Sequence, residues 1–141
     1  MHPIVFDTNV LVAALRSRRG ASFAILSELG KSWTPLISVP LIFEYEAVAK
    51  RETTQLKIPE QTVEAVIRAF CFYGQPVNVH FRFRPALPDP GDEFLLDLAI
   101  AGQADAIVTH NVRHFRGADR FGINVLTPPE FLRIIKKEEG T

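Results

Sequence analysis

The stretch Ile4-Val5-Phe6-Asp7-Thr8-Asn9 constrains this chain more than any other. Three consecutive apolar residues read as a short strand buried on both faces, the pattern of a parallel sheet. An acid, a hydroxyl and an amide follow, directly before the helix-like run Val10-Leu11-Val12-Ala13-Ala14-Leu15. The polar trio therefore lies at the strand's carboxyl end, the edge where open α/β sheets bind ligands. Asp7 becomes the candidate anchor of an acidic metal site, to which other carboxylates must be brought.

The remaining chain repeats this alternation. The helical pattern runs to about Arg16, and a second spans Ala21 to Leu29, with Phe23, Leu26 and Leu29 on one face and Gly30 as its cap. Trp33 to Ser38 predicts a strand. Pro35 lacks a ladder donor, so that strand must start late or lie where the donor is unused. Val39-Pro40 opens a helix to about Glu52, Thr53 to Ile58 reads as a connector, and Pro59 to Gly74 carries a helix with Val63, Val66, Ile67 and Phe70 inward. A weak strand follows at Gln75 to Val79, then an irregular segment with three prolines among residues 85–90. A helix over about Pro90 to Gly102 precedes a buried strand, Ala106 to Thr109. Turns from Asn111 to Gly122 lead to a strand at Ile123 to Leu126 and a helix from Pro128, with Phe131, Ile134 and Ile135 inward. Strands alternating with helices give an α/β fold with a mainly parallel sheet.

At 141 residues the expectation is one domain over 1–141, able to bury about two-thirds of its unfolded surface. Acids and bases balance at 16 each, so net charge pushes toward neither nucleic acid nor membrane, although an acidic pocket and a basic track would cancel. Cys71 is the sole cysteine, so no intrachain disulfide can form, and a cytoplasmic setting is expected. No apolar run approaches a membrane span, and the N-terminus enters a strand rather than a signal peptide. The glycine patterns that cradle dinucleotides or nucleotide phosphates are absent, which removes two common functions of such sheets.

Three acids stand out by position. Asp7 ends the first strand, and Glu44 lies about one turn into the helix that follows the second, which assigns both to the same sheet edge. Asp92 opens the helix that precedes its strand, and topology read from sequence does not assign it to that edge. Each also has a structural reading. Asp7 can cap the first helix, Glu44 can be a solvated helix charge, and Asp89-Pro90-Gly91-Asp92 has the form of a helix start.

The combination resembles a PIN domain, most closely the toxin branch related to VapC ribonucleases. The motifs are Asp7-Thr8-Asn9-Val10-Leu11-Val12, Ser38 through Glu44, Asp89-Pro90-Gly91-Asp92-Glu93-Phe94-Leu95, Ala104 through Thr109, and Val125 through Leu132. Each is weak singly, but they stand in the family's order over nearly the whole chain. The resemblance implies a three-layer α/β/α fold around a mainly parallel sheet of four to five strands. It also implies an acidic cluster binding Mg²⁺ or Mn²⁺ for hydrolysis of single-stranded RNA, with Asp7, Glu44 and Asp92 as the catalytic and metal-binding acids. Oxygen ligands and retained waters suit such hard cations. Thr8, Asn9, Thr109 and Asn111 would support them. A small antitoxin and a homodimer are the partners expected by analogy. The family's fourth acid is missing, for Asn111 and His114 stand where it could be. His114 is a further ligand candidate or a histidine packing beside Phe115. Asp89 is another candidate, and Asp97 is read as a surface or supporting acid.

Arg16, Arg18 and Arg19, Arg82 and Arg84 beside Phe81 and Phe83, and Arg113, Arg116 and Arg120 offer a track for single-stranded RNA through phosphate contact and stacking. Phe81 to Arg84 can equally be an edge strand. The leading reading is a metal-dependent endoribonuclease toxin. The alternative is a PIN-like module that binds RNA or protein with weakened catalysis. A phosphatase using Asp7 as nucleophile fits poorly, because Asp-Thr-Asn-Val holds no second acid.

Overall fold

A computed structural model of the chain describes residues 1–56, 58–79 and 90–140. The elements are β1 (His2–Phe6), α1 (Thr8–Arg16), α2 (Ala21–Ser27), β2 (Trp33–Ile37), α3 (Val39–Leu56), α4 (Glu60–Tyr73), β3 (Gln75–Pro76), α5 (Pro90–Ala101), β4 (Ala106–Val108), β5 (Asn124–Leu126) and α6 (Pro128–Glu139). Two 3₁₀ turns, Val112–Phe115 and Ala118–Phe121, join β4 to β5. The strands form one all-parallel sheet in the order β3-β2-β1-β4-β5. The chain winds outward from β1 to β3, then crosses to the other side of β1. The order thus reverses between β1 and β4, where such sheets open a crevice at their carboxyl ends.

Side chains alternate across a strand, and two neighbours in β2 show what covers each face. A Cβ on Gly74, at the end of α4, would come within 2.9 Å of Ile37. One on Gly102, at the end of α5, would come within 2.6 Å of Leu36. Helices α4 and α5 therefore cover opposite faces, which makes the fold a three-layer α/β/α sandwich. The α4 face is aromatic. Phe6 stacks on Trp33 at 5.0 Å between ring centroids, Phe70 of α4 sits 5.8 Å from Phe6, and Phe131 of α6 sits 6.3 Å from Trp33. Each buried ring contributes on the order of 2–3 kcal/mol. The Trp33 indole donates to the Ile25 carbonyl at 2.8 Å, so its polar edge is not left unpaired.

Several boundaries differ from the sequence reading. Helix α2 stops at Ser27, with Ser22 and Ile25 buried and Phe23 and Leu26 only half-buried. Gly30 is not its cap. It takes φ +82° in the following turn, where its N–H donates to Trp33, and the Tyr73 ring occupies the space a Cβ would need. Strand β2 does not start late. His2 N donating to Ser32 O turns the even residues of β2 toward β1, while Val77 N donating to Ile37 O turns the odd ones the other way. Pro35 thus faces the β3 side, before β3 begins at Gln75, and no donor is missed.

Helix α3 runs on through the expected connector to Leu56. Buried Glu52 anchors that last stretch by accepting two hydrogen bonds from Arg16, at 2.9 and 3.1 Å. Strand β3 has only two residues, and Ile134 lies at the rim, 37% exposed, rather than inward. The expected irregular segment from His80 and the edge strand at Phe81 to Arg84 lie outside the described residues. Among the described residues no helix is long and apolar enough to cross a membrane.

At the sheet's opposite end, His2 clasps two elements. Its Nδ1 lies 2.7 Å from Asp105 and its Nε2 2.8 Å from Glu138 of α6. A neutral imidazole has a single N–H, so donation to both carboxylates requires the charged ring. Burial opposes that charge, but the hydrogen bonds and negative charges of Glu138 and Asp105 outweigh it and raise the His2 pKa. A raised folded-state pKa stabilises the fold below the ordinary histidine value, and the gain is lost as pH rises through the raised value. Both carboxylates are half-exposed, so screening keeps the effect small. Melting curves from pH 5.5 to 8.5 should show wild type losing roughly 1–3 °C more than His2→Gln as pH rises. Parallel curves would rule out the clasp.

Candidate active site

Strand β1 ends at Phe6, and its ladder continues one residue further as Asp7 N donates to Val108 O at 3.0 Å. Asp7 occupies the N-cap position of α1, with extended φ −66° and ψ 144°, but its side chain makes no cap hydrogen bond. Asp7 thus opens α1 without the side-chain hydrogen bond that a helix cap would make. Its Oδ2 instead accepts from the Thr109 hydroxyl at 2.7 Å, just beyond β4. Thr109 is fully buried, and its oxygen accepts from the Asn111 backbone N–H at 3.0 Å, so the direction in which it donates is set. The Asn9 amide lies 3.4 Å from Asp7 Oδ2, and its carbonyl oxygen accepts from His110 N at 3.3 Å. Burial raises the Asp7 pKa above the ordinary carboxyl range. The Thr109 hydrogen bond and the neighbouring Thr8 and Asn9 amides pull it down, while the charge of Asp92 pushes it up.

Glu44 reaches the same edge from the second turn of α3, where its Oε2 accepts from the Thr8 hydroxyl at 2.5 Å. Asp92 reaches it too, and here the sequence reading needs correction. Helix α5 is the crossover into β4, and a crossover helix must start at the carboxyl edge to deliver its strand at the amino edge. A helix preceding a strand therefore opens at the same edge as one following a strand. Asp92 is mostly buried, and its Oδ2 lies 3.2 Å from His114 Nδ1. His114 is thus the partner of Asp92 from the first 3₁₀ turn, and Asn111 contributes its backbone N–H to Thr109.

Other predicted residues sit differently. Asp97 is not a surface acid: it is 4% exposed and lines a cavity of about 390 Å³ with Ser38, Asn78 and Phe94. Arg16 pairs with Glu52 through two of its guanidinium nitrogens, with half of its side chain still exposed. Arg113 is exposed, while Arg82, Arg84 and Asp89 lie outside the described residues. The sequence reading missed Tyr45. Its hydroxyl is buried and donates to the Phe6 carbonyl, and burial, then the charges of Asp7 and Glu44, hold the phenol well above its ordinary pKa. The signal was the spacing Leu41, Tyr45, Ala49, which turns Tyr45 inward on α3.

The family model of the PIN domain matches residues 3–113, a span containing all of these acids. The chain belongs to the PIN domain family. No curated protein matches it. PIN domains are typically nucleases, and PIN nucleases generally use divalent metals. Among the described residues of this PIN domain, no three His, Cys, Asp or Glu side chains are gathered closely enough to hold an ion by themselves. The donors at the edge are nevertheless oxygens, and Asp92 bears on Asp7 as a like charge. That fits a hydrated hard cation, which needs only one or two direct carboxylates alongside water and phosphate.

A raised carboxyl pKa means that ionised Asp7 strains the fold. The unfolded chain releases this proton at lower pH than the folded one, so stability declines as pH rises from the ordinary carboxyl value through the raised one. In metal-free buffer at pH 7.5, Asp7→Asn should melt roughly 2–5 °C above wild type, as read by circular dichroism. A lower melting point would show that the carboxylate stabilises the fold rather than serving a ligand.

Proposed function

We propose that this PIN domain is a metal-dependent endoribonuclease cutting single-stranded RNA, acting as a VapC-like toxin of a toxin–antitoxin pair. The observation carrying the nuclease reading is the buried Asp7 carboxylate, held by Thr109 and burdened by the charge of Asp92. Repelling acids kept together at a sheet edge suit a cation's ligands better than a helix start. Asp7 and Asp92 would hold Mg²⁺ or Mn²⁺, with Glu44 beside them. When bound, the ion supplies a water of lowered pKa and neutralises charge on the scissile phosphate.

The chain's own groups do the rest. Thr109 orients Asp7 through Oδ2, and Asn9 ties the Asp7 turn to the start of the β4 loop through His110 N. Thr8 holds Glu44 by Oε2, which leaves Oε1 to accept a proton from the attacking water. Arg113, with Arg82 and Arg84, would contact RNA phosphates. The antitoxin, the homodimer and the toxin role itself are supported by the five motifs shared with the toxin branch. One observation favours the second reading, an RNA- or protein-binding module with weakened catalysis. His114 pairs with Asp92 where a fourth acid would stand, so less negative charge faces an ion.

The test incubates the purified protein with single-stranded RNA and Mn²⁺ or Mg²⁺, with a chelator as control. Cleavage should need metal and fall roughly 100-fold or more in Asp7→Asn, Glu44→Gln and Asp92→Asn. Thr109→Val should cost about 10–100-fold. Equal cutting by all variants would trace the activity to contaminating ribonuclease and sink the assignment. RNA bound but uncut selects the second reading.

A further inference from the structure

We infer that Tyr45 is a positioning residue of the acidic site, locking Glu44 at its working distance from Asp7 through a hydrogen bond to the Phe6 carbonyl. The inference rests on the nuclease reading above and deepens it.

His2 N donates to Ser32 O, so the even residues of β1 turn their backbone groups toward β2. Phe6 is the last of them, and β2 leaves the sheet after Ile37 to begin α3. The Phe6 carbonyl therefore lies where the β2 side of the ladder runs out, and the Tyr45 hydroxyl takes it up from α3. Phe6 immediately precedes Asp7, and Tyr45 immediately follows Glu44. A single hydrogen bond thus joins the neighbours of both acids, and Thr8 to Glu44 forms a second tie across the same gap.

The two ties differ in kind. Thr8 grips the Glu44 side chain, whereas Tyr45 grips backbone and so sets the depth at which α3 meets β1. The Tyr45 ring is wholly buried, 5.0 Å from Phe70, and cannot swing away without opening the aromatic core.

Tyr45→Phe removes the hydroxyl and keeps the packing. Mn²⁺ affinity is measured without RNA by electron paramagnetic resonance, and kcat and KM on single-stranded RNA are measured at 10 °C, where the fold is near its greatest stability. The expected result is a kcat about 10–100-fold lower, with KM within about twofold and Mn²⁺ bound several-fold more weakly, since a misplacement near 1 Å costs about that much. Ile67→Val in α4, which loosens the core without touching the acids, should keep wild-type kcat and Mn²⁺ affinity.

If Tyr45→Phe melts lower but keeps kcat, KM and Mn²⁺ affinity, the residue is only a core support and the inference is overturned. A Phe variant that does not fold even at 10 °C also overturns a positioning role. If wild type binds Mn²⁺ but cuts no RNA, the Mn²⁺ titration alone decides: weaker binding by Tyr45→Phe upholds the inference, equal binding overturns it. A wild type that neither binds Mn²⁺ nor cuts RNA overturns the nuclease reading and this inference with it. That failure lies in the parent protein, so it is distinguishable from failure of the variant.

Discussion

The hydrogen bond from Thr109 to Asp7 depends on two strands ending side by side, and most of the architecture serves that juxtaposition. β1 and β4 pair in register from Ile4 with Ala106 to Phe6 with Val108, so the residue after each strand falls opposite the other. A buried carboxylate there needs a donor, and a buried hydroxyl needs something to accept its proton. Each satisfies the other, 102 residues apart in the chain. Shifting the β1–β4 register by one residue would turn both polar groups toward opposite faces and leave each unpaired in the core.

The helices then act as arms that bring charge to this edge. α1 starts at it and supplies Thr8 and Asn9, α3 supplies Glu44, and α5 supplies Asp92 because crossover helices begin there. The aromatic cluster of Phe6, Trp33, Tyr45 and Phe70 holds α3 and α4 against the sheet. Packing and chemistry meet at Tyr45, whose ring belongs to the core and whose hydroxyl reaches the backbone beside Asp7. The Arg16–Glu52 pair braces the far ends of α1 and α3. Repulsion between Asp7 and Asp92 is tolerated because the rest of the fold supplies enough burial to hold them together.

The balance of charge at the edge separates this chain from a fully acidic site. Where a fourth carboxylate would deepen the negative potential, His114 faces Asp92, and Asn111 lends a backbone N–H to Thr109. An asparagine and a histidine bring less negative charge to this edge than a carboxylate would. His114 also gives Asp92 a partner within the protein, while Thr109 is served by a backbone N–H that any non-proline residue at position 111 would offer.

Strand identity, the parallel class of the sheet and the candidacy of Asp7 and Glu44 were legible in the residues, because local apolar runs and strand-to-helix order encode them. So was the start of α6 at Pro128, where the structure adds a capping box between Thr127 and Glu130. The length of α3 was not legible, since Glu52 is anchored by an arginine 36 positions away. Nor was the inward turn of Asp97, or the choice of Thr109 over a helix amide as the partner of Asp7. The sequence by itself determined which residues could carry the chemistry and at which strand ends they stand. Only the tertiary structure decided which of them meet, because strand order and register, set by pairings across the whole chain, bring Asp7, Glu44, Asp92, Thr109 and Tyr45 to one edge.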